Sequence, residues 1–426
     1  MAYIRNVFAD FGGLLRKVRG NASEILFTQV VWSIAFVVYT PFLTQYMLRL
    51  GMSTQQVGVV SAAATAAGMA ASVFAGWITD RLGRRETYTL FDLISWSSAC
   101  ALWAISNNFA WFLFAGIVNA LTRIGGVAHT CLLTEDVAPE DRMAVFSAMS
   151  IASVVAGFFS PLANLLINPY GLVTAMRAIY AGSAVIYTII FIRRYLRLTE
   201  TPIARQMKAE AKRAPPLRAL KDYPALVRHI WGNKLLLVLI LLRAVFFMQM
   251  TLRSTYISIA LIQGLGFDDT VLSQINLVGA AVTLIVQITV IPKLAGAEQQ
   301  KPLLAGLCAC LAGYAVLLAC PAGNMPVMLA SIVISSVGGV LCNMLIETLF
   351  ANTADDKRRA TLIGFMTFVT MAIQIPFTLL CGYAAALPVY GPMLPMAIGA
   401  LLYLCCIVLL ALYMRAAPKA RHPRHG

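Results

Sequence analysis

Ionisable residues are few inside the long apolar segments of this chain, and each asks for a physical reason. Arg123, Arg243 and Arg253 lie among Leu, Val, Ile, Ala and Phe. A guanidinium at a bilayer centre costs about 2.5–3.5 kcal/mol on insertion scales, so three of them demand compensation. Either they meet an anionic group of a bound solute, or they pair with internal acids and serve gating or coupling. Acids are scarce: Asp92, Glu347 and the interfacial Glu24. With more buried cations than buried acids, an anionic or electron-rich ligand is the better expectation. A carboxylate in low dielectric has a raised pKa and can cycle protons. Glu347, one helical turn from Asn343, and Asp92 are therefore candidates for proton coupling, with the lone His129 a weaker one. Asp92 has a competing reading as a structural partner for the basic cluster at 81–85. No G-x-x-x-x-G-K-[ST] loop and no metal-like Cys/His spacing occurs, so neither direct ATP coupling nor a metal or other cofactor is expected.

Polar stripes locate a path, because a polar group in hydrocarbon costs free energy unless it faces a cavity or another polar group. Helical spacing puts Asn119, Arg123 and Thr130 on one face, and Ser61, Thr65 and Ser72 on another. Gln249 and Arg253 share a face, with Arg243 about a turn and a half deeper. Asn276, Thr283 and Gln287 align, as do Asn343 with Glu347 and Thr367, Thr370 with Gln374. Many of the hydroxyls would serve equally as glue between helices. The arginines would not.

The elements that must position these residues follow from composition. The chain has 426 residues, 60% hydrophobic and only 12% charged, whereas a soluble domain carries about 25% charged residues. Twelve segments of spanning length run roughly 24–49, 54–79, 87–106, 109–133, 143–167, 172–194, 234–262, 270–292, 302–320, 326–351, 360–387 and 391–414. Their length and lack of alternation predict helices, an all-α membrane protein. The divisions are a basic arm 1–23, six helices over 24–194, a linker 195–233, six helices over 234–414 and a tail 415–426. Within the linker, Leu217 to Trp231 mixes apolar and basic residues, as an amphipathic surface helix or a solvated connection would. Of the 33 Lys and Arg, all but Arg49, Arg177 and the three within spans fall on the side that carries both termini. That bias predicts cytoplasmic termini and accounts for the net charge of +15 without any nucleic-acid partner. The nine cysteines all fall in predicted spans, as packing or lipid-facing thiols would.

Between the second and third segments stands Gly76-Trp77-Ile78-Thr79-Asp80-Arg81-Leu82-Gly83-Arg84-Arg85, a short charged hinge of pattern G-x-x-x-D-R-x-G-R-R. It resembles the signature loop between helices two and three of the major facilitator superfamily of secondary transporters. Glu135 and Arg142 resemble the E-x6-R loop after helix four of many members. The resemblance implies a cytoplasmic lock, in which Asp80 and Arg84 engage helix ends and an acid such as Glu135. It also implies two parallel six-helix halves about a pseudo-twofold axis, with every third helix peripheral. Spans nine and twelve, which hold no charged or carboxamide residue, fit that sorting. A weak repeat at an offset near 215 agrees: Leu50-Gly51 with Leu265-Gly266, and Glu140-Asp141-Arg142 with Asp356-Lys357-Arg358. Arg123 followed by Gly125-Gly126 partly matches the buried Arg of drug–proton antiporters, whose helix-five Gly-Pro pair reads Ser160-Pro161 here.

The expectation is a monomeric, non-enzymatic secondary transporter of the bacterial inner membrane, moving a small organic solute by alternating access, with protons as a coupling ion. The substrate cavity is assigned to Asn119, Arg123, Arg243, Gln249, Arg253, Asn276, Gln287, Asn343 and Gln374. A multidrug-type antiporter is the alternative, followed by a non-transporting sensor and a polytopic membrane enzyme.

Overall fold

A computed structural model describes residues 20–135, 137, 142–211, 232–294, 299–353 and 359–416. The amphipathic stretch 217–231, the terminal arms and the acidic end of the 135–142 loop lie outside them, as does the Arg142 side chain. The spanning helices are α1 (Asn21–Arg49), α2 (Thr54–Leu82), α3 (Arg84–Asp92 and Ser98–Ile105, joined by a π turn), α4 (Phe109–Glu135) and α5 (Arg142–Ala156 continued to Tyr170). They continue with α6 (Leu172–Arg197), α7 (Lys234–Gly264), α8 (Val271–Thr289), α9 (Gln300–Leu318), α10 (Met325–Thr353), α11 (Arg359–Ala385) and α12 (Leu394–Ala416). Eleven are long and apolar enough to cross a membrane. The twelfth, α3, carries its charged residues at the hinge end and becomes apolar beyond Asp92. No strand occurs among the described residues.

Local chemistry sets the helix ends. Ser53 and Gln56 form a reciprocal capping box that starts α2, and Asn108 and Asn233 cap α4 and α7. Each satisfies amide groups that a helix N-terminus leaves without internal partners. In α5, Pro161 cannot donate to the ladder, and the backbone tightens over Gly157–Ala163.

Helices in lipid gain little from hydrophobic burial against each other, so close approach of small residues carries the packing. The α9–α10 contact is the clearest case. A Cβ on Gly338 would sit 2.5 Å from the Gly306 carbonyl oxygen and 2.7 Å from the Cys310 amide nitrogen. The same device joins the two halves, α1–α6 and α7–α12. A Cβ on Gly58 would lie 3.1 Å from the Gly382 Cα, and one on Gly157 2.5 Å from the Ala280 Cβ. Cross-half hydrogen bonds lie at the end of the bundle remote from the hinge: Thr44 Oγ1 donates to the Thr255 carbonyl (3.0 Å) and Asn164 to Ser273 (2.8 Å). Arg49 pairs with Asp269 at that same end, 2.9 Å apart.

Gly338→Ala should force α9 and α10 apart, costing about 1–3 kcal/mol as overpacking does. A lower melting temperature in detergent is expected, with little change for Gly76→Ala, whose Cβ would meet nothing within 4 Å.

Candidate functional site

A cavity of about 640 Å³ lies between the halves, bounded by α1, α5, α7, α8, α10 and one residue of α12. Arg253, Asn276, Gln287 and Asn343 all line it, with Ser150, Ser153, Ser335 and Tyr403. Thr40, Pro41 and Leu272 bound it at the remote end, and it runs toward the hinge end along Ser150, Gln287 and Met344. Arg253 is its one charged lining residue among the described residues. Its Nη1 donates to Ser335 Oγ at 2.9 Å, and the guanidinium stands 5.9 Å from the Tyr314 ring centroid. No carboxylate among the described residues pairs with it. Gln249 stands one layer behind the wall: it donates to the Tyr314 hydroxyl and accepts from the Tyr403 hydroxyl at 2.8 Å. Tyr403 thus carries α12, expected to be peripheral, to the cavity edge.

The other residues assigned to the cavity sit elsewhere. Arg243 pairs with Glu347 at 2.8 Å and lies over the Phe247 ring, so this cation is already compensated. Asn119 donates to the Ser95 carbonyl (2.8 Å) and ties α4 to α3. Gln374 donates to the Phe247 carbonyl (3.1 Å) and to Thr251 Oγ1 (2.8 Å), tying α11 to α7. Arg123 is exposed beside Gly68 of α2, outside the residues that line the cavity. A carboxamide is as useful between two backbones as beside a solute, and residue type alone does not separate these uses.

Asp92 meets Arg194 at 2.8 Å, not the basic cluster at 81–85. Helix α6 runs on to Arg197, past the expected end at 194, and so draws Arg194 into the bundle, where it is only 1% exposed. The guanidinium sits 3.4 Å from the Tyr88 ring centroid and 4.6 Å from that of Phe191. Gly125 makes room for this pair, since a Cβ there would come within 2.9 Å of Asp92 Oδ1. His129 packs with its ring centroid 5.2 Å from that of Tyr88. Glu24, the remaining acid, pairs with Arg193 at 3.1 Å.

At the hinge, Arg84 gathers Asp80 (2.7 Å) and Glu135 (3.1 Å), and Thr201 donates to the other oxygen of Glu135. Glu200 accepts the backbone amides of Arg84 (3.0 Å) and Arg85 (3.3 Å), capping α3 where the helix dipole favours a negative charge. Gly83, at φ 103°, is required twice over: a Cβ would be strained there and would collide with the Glu200 carboxylate. Burial, and next the adjoining Glu86 carboxyl, push the Glu200 pKa up. Arg85 donates to the Tyr195 carbonyl (2.9 Å), and Arg81 lies 5.2 Å from the Trp77 ring centroid. Gly76 faces open space. Sequence alone does not single out Glu200 and Thr201, because 195–233 reads as a linker, or Arg194, the last residue of its expected span; an acid three residues beyond the observed end of α6 is the signal for Glu200.

A family model for the Major Facilitator Superfamily matches residues 25–378. The chain belongs to that superfamily. That superfamily is one of multi-pass membrane transporters, not of enzymes. The chain is similar to the uncharacterized MFS-type transporter YqjV of Bacillus subtilis (strain 168), 28% identical over 127 residues. That match covers 29% of this chain and 31% of YqjV. Among solved structures, the nucleoside transporter NupG superposes with a TM-score of 0.69 at 12% identity, covering 93% of this chain and 99% of NupG. The human organic anion transporter MFSD10 gives a TM-score of 0.63 at 15% identity, covering 93% and 99%. A bacterial homolog of the human lysosomal transporter Spinster, in an inward-facing and occupied conformation, gives 0.66 at 14%, covering 93% and 97%. At these identities the likeness establishes the fold alone.

The Arg194–Asp92 pair is buried, whereas the Arg49 side chain of the Arg49–Asp269 pair is 54% exposed. Removing one partner of a buried pair strands the other charge, at about 3–5 kcal/mol; an exposed pair contributes about 0–1 kcal/mol. Asp92→Asn should therefore lower the melting temperature well beyond Arg49→Gln when both are followed by thermal unfolding.

Proposed function

We propose that this superfamily member is a secondary transporter for a small organic anion, held in the central cavity by Arg253. One observation carries the reading: the cavity is lined by one cation and no acid, while Arg84, Arg193, Arg194 and Arg243 each have a carboxylate. A half-buried charge in an apolar bundle without a counter-charge is costly unless a ligand supplies one. Asn276, Gln287, Asn343 and the serines would orient the remainder of the solute. Known neighbours carry solutes as different as nucleosides and organic anions, so the substrate class rests on the cavity itself. A hydrophobic-cation antiporter would want an acid at the cavity wall, and the described lining has none.

In this reading the hinge end is cytoplasmic, as the Lys and Arg distribution favours, in a bacterial inner membrane, and one chain suffices for function. The cross-half contacts at the remote end and the cavity's extension toward the hinge correspond to a state open to, or opening toward, the cytoplasm. Alternating access would break Thr44–Thr255, Asn164–Ser273 and Arg49–Asp269 on one side and close the other. The Asp80–Arg84–Glu135–Glu200 cluster holds the hinge ends of α2, α3, α4 and α6 as one body during that motion. Arg243–Glu347 is the favoured proton-coupling pair, because Glu347 keeps 44% of its side chain accessible while held against a cation.

In a thermal-shift screen against organic anions and uncharged or cationic analogues, anions should raise the melting temperature by mass action. Arg253→Ala should abolish that shift and Arg253→Lys retain part of it; a shift unchanged in Arg253→Ala would overturn the assignment. In proteoliposomes, Asp80→Asn should slow turnover with little change in ligand affinity, since it loosens the body that must move as a unit and leaves the cavity wall untouched. Unaltered transport would remove the bracing role. Glu347→Gln should leave solute exchange intact while transport loses its dependence on a pH gradient; retained dependence would exclude Glu347 as the coupling acid. Binding in the thermal-shift screen with no transport in proteoliposomes would identify a sensor instead.

A further inference from the structure

The polar groups that line the central cavity are of two kinds. Thr40, Ser153 and Ser254 turn their hydroxyls back onto carbonyls of their own helices, as hydroxyls in helices do. Asn276, Thr283, Gln287, Ser336 and Asn343 also line it, yet their side chains hydrogen-bond to no described residue. The polar atoms of Thr283, Gln287 and Ser336 reach open space, and Asn276 and Asn343 are exposed outright. Asn119, Gln249 and Gln374, by contrast, are committed to protein partners.

Helix register sets these free groups around Arg253. Helices α8 and α10 both start at the remote end, and a Cβ on Gly279 would stand 3.6 Å from Ser336 Oγ. Arg253 bonds Ser335 at that level. At 1.5 Å per residue, Asn276 lies about 4–5 Å to one side of it along α8 and Thr283 about 6 Å to the other. Carboxamides and hydroxyls both donate and accept, so the part of the solute beside its anionic group must do both, and in several directions. An ammonium only donates, and among the described lining residues it would meet Arg253 and no carboxylate. A planar base would want an open ring face, but Tyr403, the one aromatic among the described lining residues, is 2% exposed and gives its hydroxyl to Gln249. A plain alkyl or aryl acid would take water from the free groups and return no hydrogen bond. Hydroxyls on successive tetrahedral carbons, each donating and accepting and each pointing away from the last, meet the requirement.

We propose that the solute is an open-chain polyhydroxy acid, with its carboxylate on Arg253 and its hydroxyls on Asn276, Thr283 and Ser336; the assignment rests on the anion reading of this cavity. Charge selects the acid, and the uncommitted carboxamide and hydroxyls select among acids.

Gluconate, hexanoate and sorbitol separate the two contributions, since all three have a six-carbon chain and carry charge with hydroxyls, charge alone and hydroxyls alone. In calorimetric titration of the purified protein in detergent, gluconate should bind about tenfold or more tighter than hexanoate, because a site that hydrogen-bonds hydroxyls rejects the analogue lacking them. It should exceed sorbitol by about the same factor, for want of the charge on Arg253. Asn276→Leu and Thr283→Val, which nearly keep side-chain volume, should each weaken gluconate about tenfold and leave hexanoate unchanged, a difference that misfolding would not produce. Arg253→Ala should lower gluconate to the level of sorbitol. Hexanoate as tight as gluconate, and lost in Arg253→Ala, would overturn the polyhydroxy assignment and leave the anion reading standing. Sorbitol as tight as gluconate, with gluconate unchanged in Arg253→Ala, would overturn the anion reading and the acid with it. No saturable gluconate binding, or gluconate affinity unchanged in both Asn276→Leu and Thr283→Val, would overturn the proposal and leave water as the partner of these groups.

Discussion

Compensation of charge within an apolar medium is the constraint on which the rest of this structure depends. Moving a charge out of water costs several kcal/mol even after relaxation, and only a nearby opposite charge with good hydrogen-bond geometry offsets it. The protein meets this locally. Arg84 takes Asp80 and Glu135, Arg193 takes Glu24, Arg194 takes Asp92, and Arg243 takes Glu347. Each of these pairs lies within one half, so the halves can move relative to each other without breaking them. The pair that does cross among the described residues, Arg49–Asp269, is at the far rim, where water is close and breakage is cheap.

That division of labour explains why so much of the ionic chemistry sits at the hinge end. The turn between α2 and α3 must be tight, which needs a positive φ at Gly83, and a tight turn leaves the α3 amides without partners. Glu200 supplies them from beyond α6, and its carboxylate occupies the space that any side chain at position 83 would need. Four helices are thereby fastened to one point by polar contacts, while the cavity end of the same helices is held by small residues and ring packing. A bundle fastened in this way rotates as a body more readily than it deforms.

Much of the architecture was legible in sequence. Charge sparsity and segment length gave helices and a membrane, and the hinge pattern located the Asp80–Arg84–Glu135 neighbourhood. The cavity was legible where a polar stripe ran along one helix, as for Asn276 and Gln287 or Arg253. It was not legible where a carboxamide serves two backbones, since Asn119 and Gln374 look no different in sequence from Asn276 and Asn343. The pairing of acids was the least accessible layer. Asp92 could be matched to nearby arginines in sequence, but its partner is 102 residues away on a helix that runs one turn longer than its hydropathy suggests.

The central claim is that Arg253 is left without an acid so that a solute can supply one. Ser335 lies 2.9 Å from its guanidinium, so Ser335→Asp places an internal carboxylate where the substrate anion would bind. Calorimetric titration of that variant with an anion that binds the wild-type chain is the most direct test. Binding lost from a folded Ser335→Asp protein, and recovered when Arg253 remains but position 335 is Asn, is the predicted result. Anion binding undiminished in folded Ser335→Asp would contradict the account.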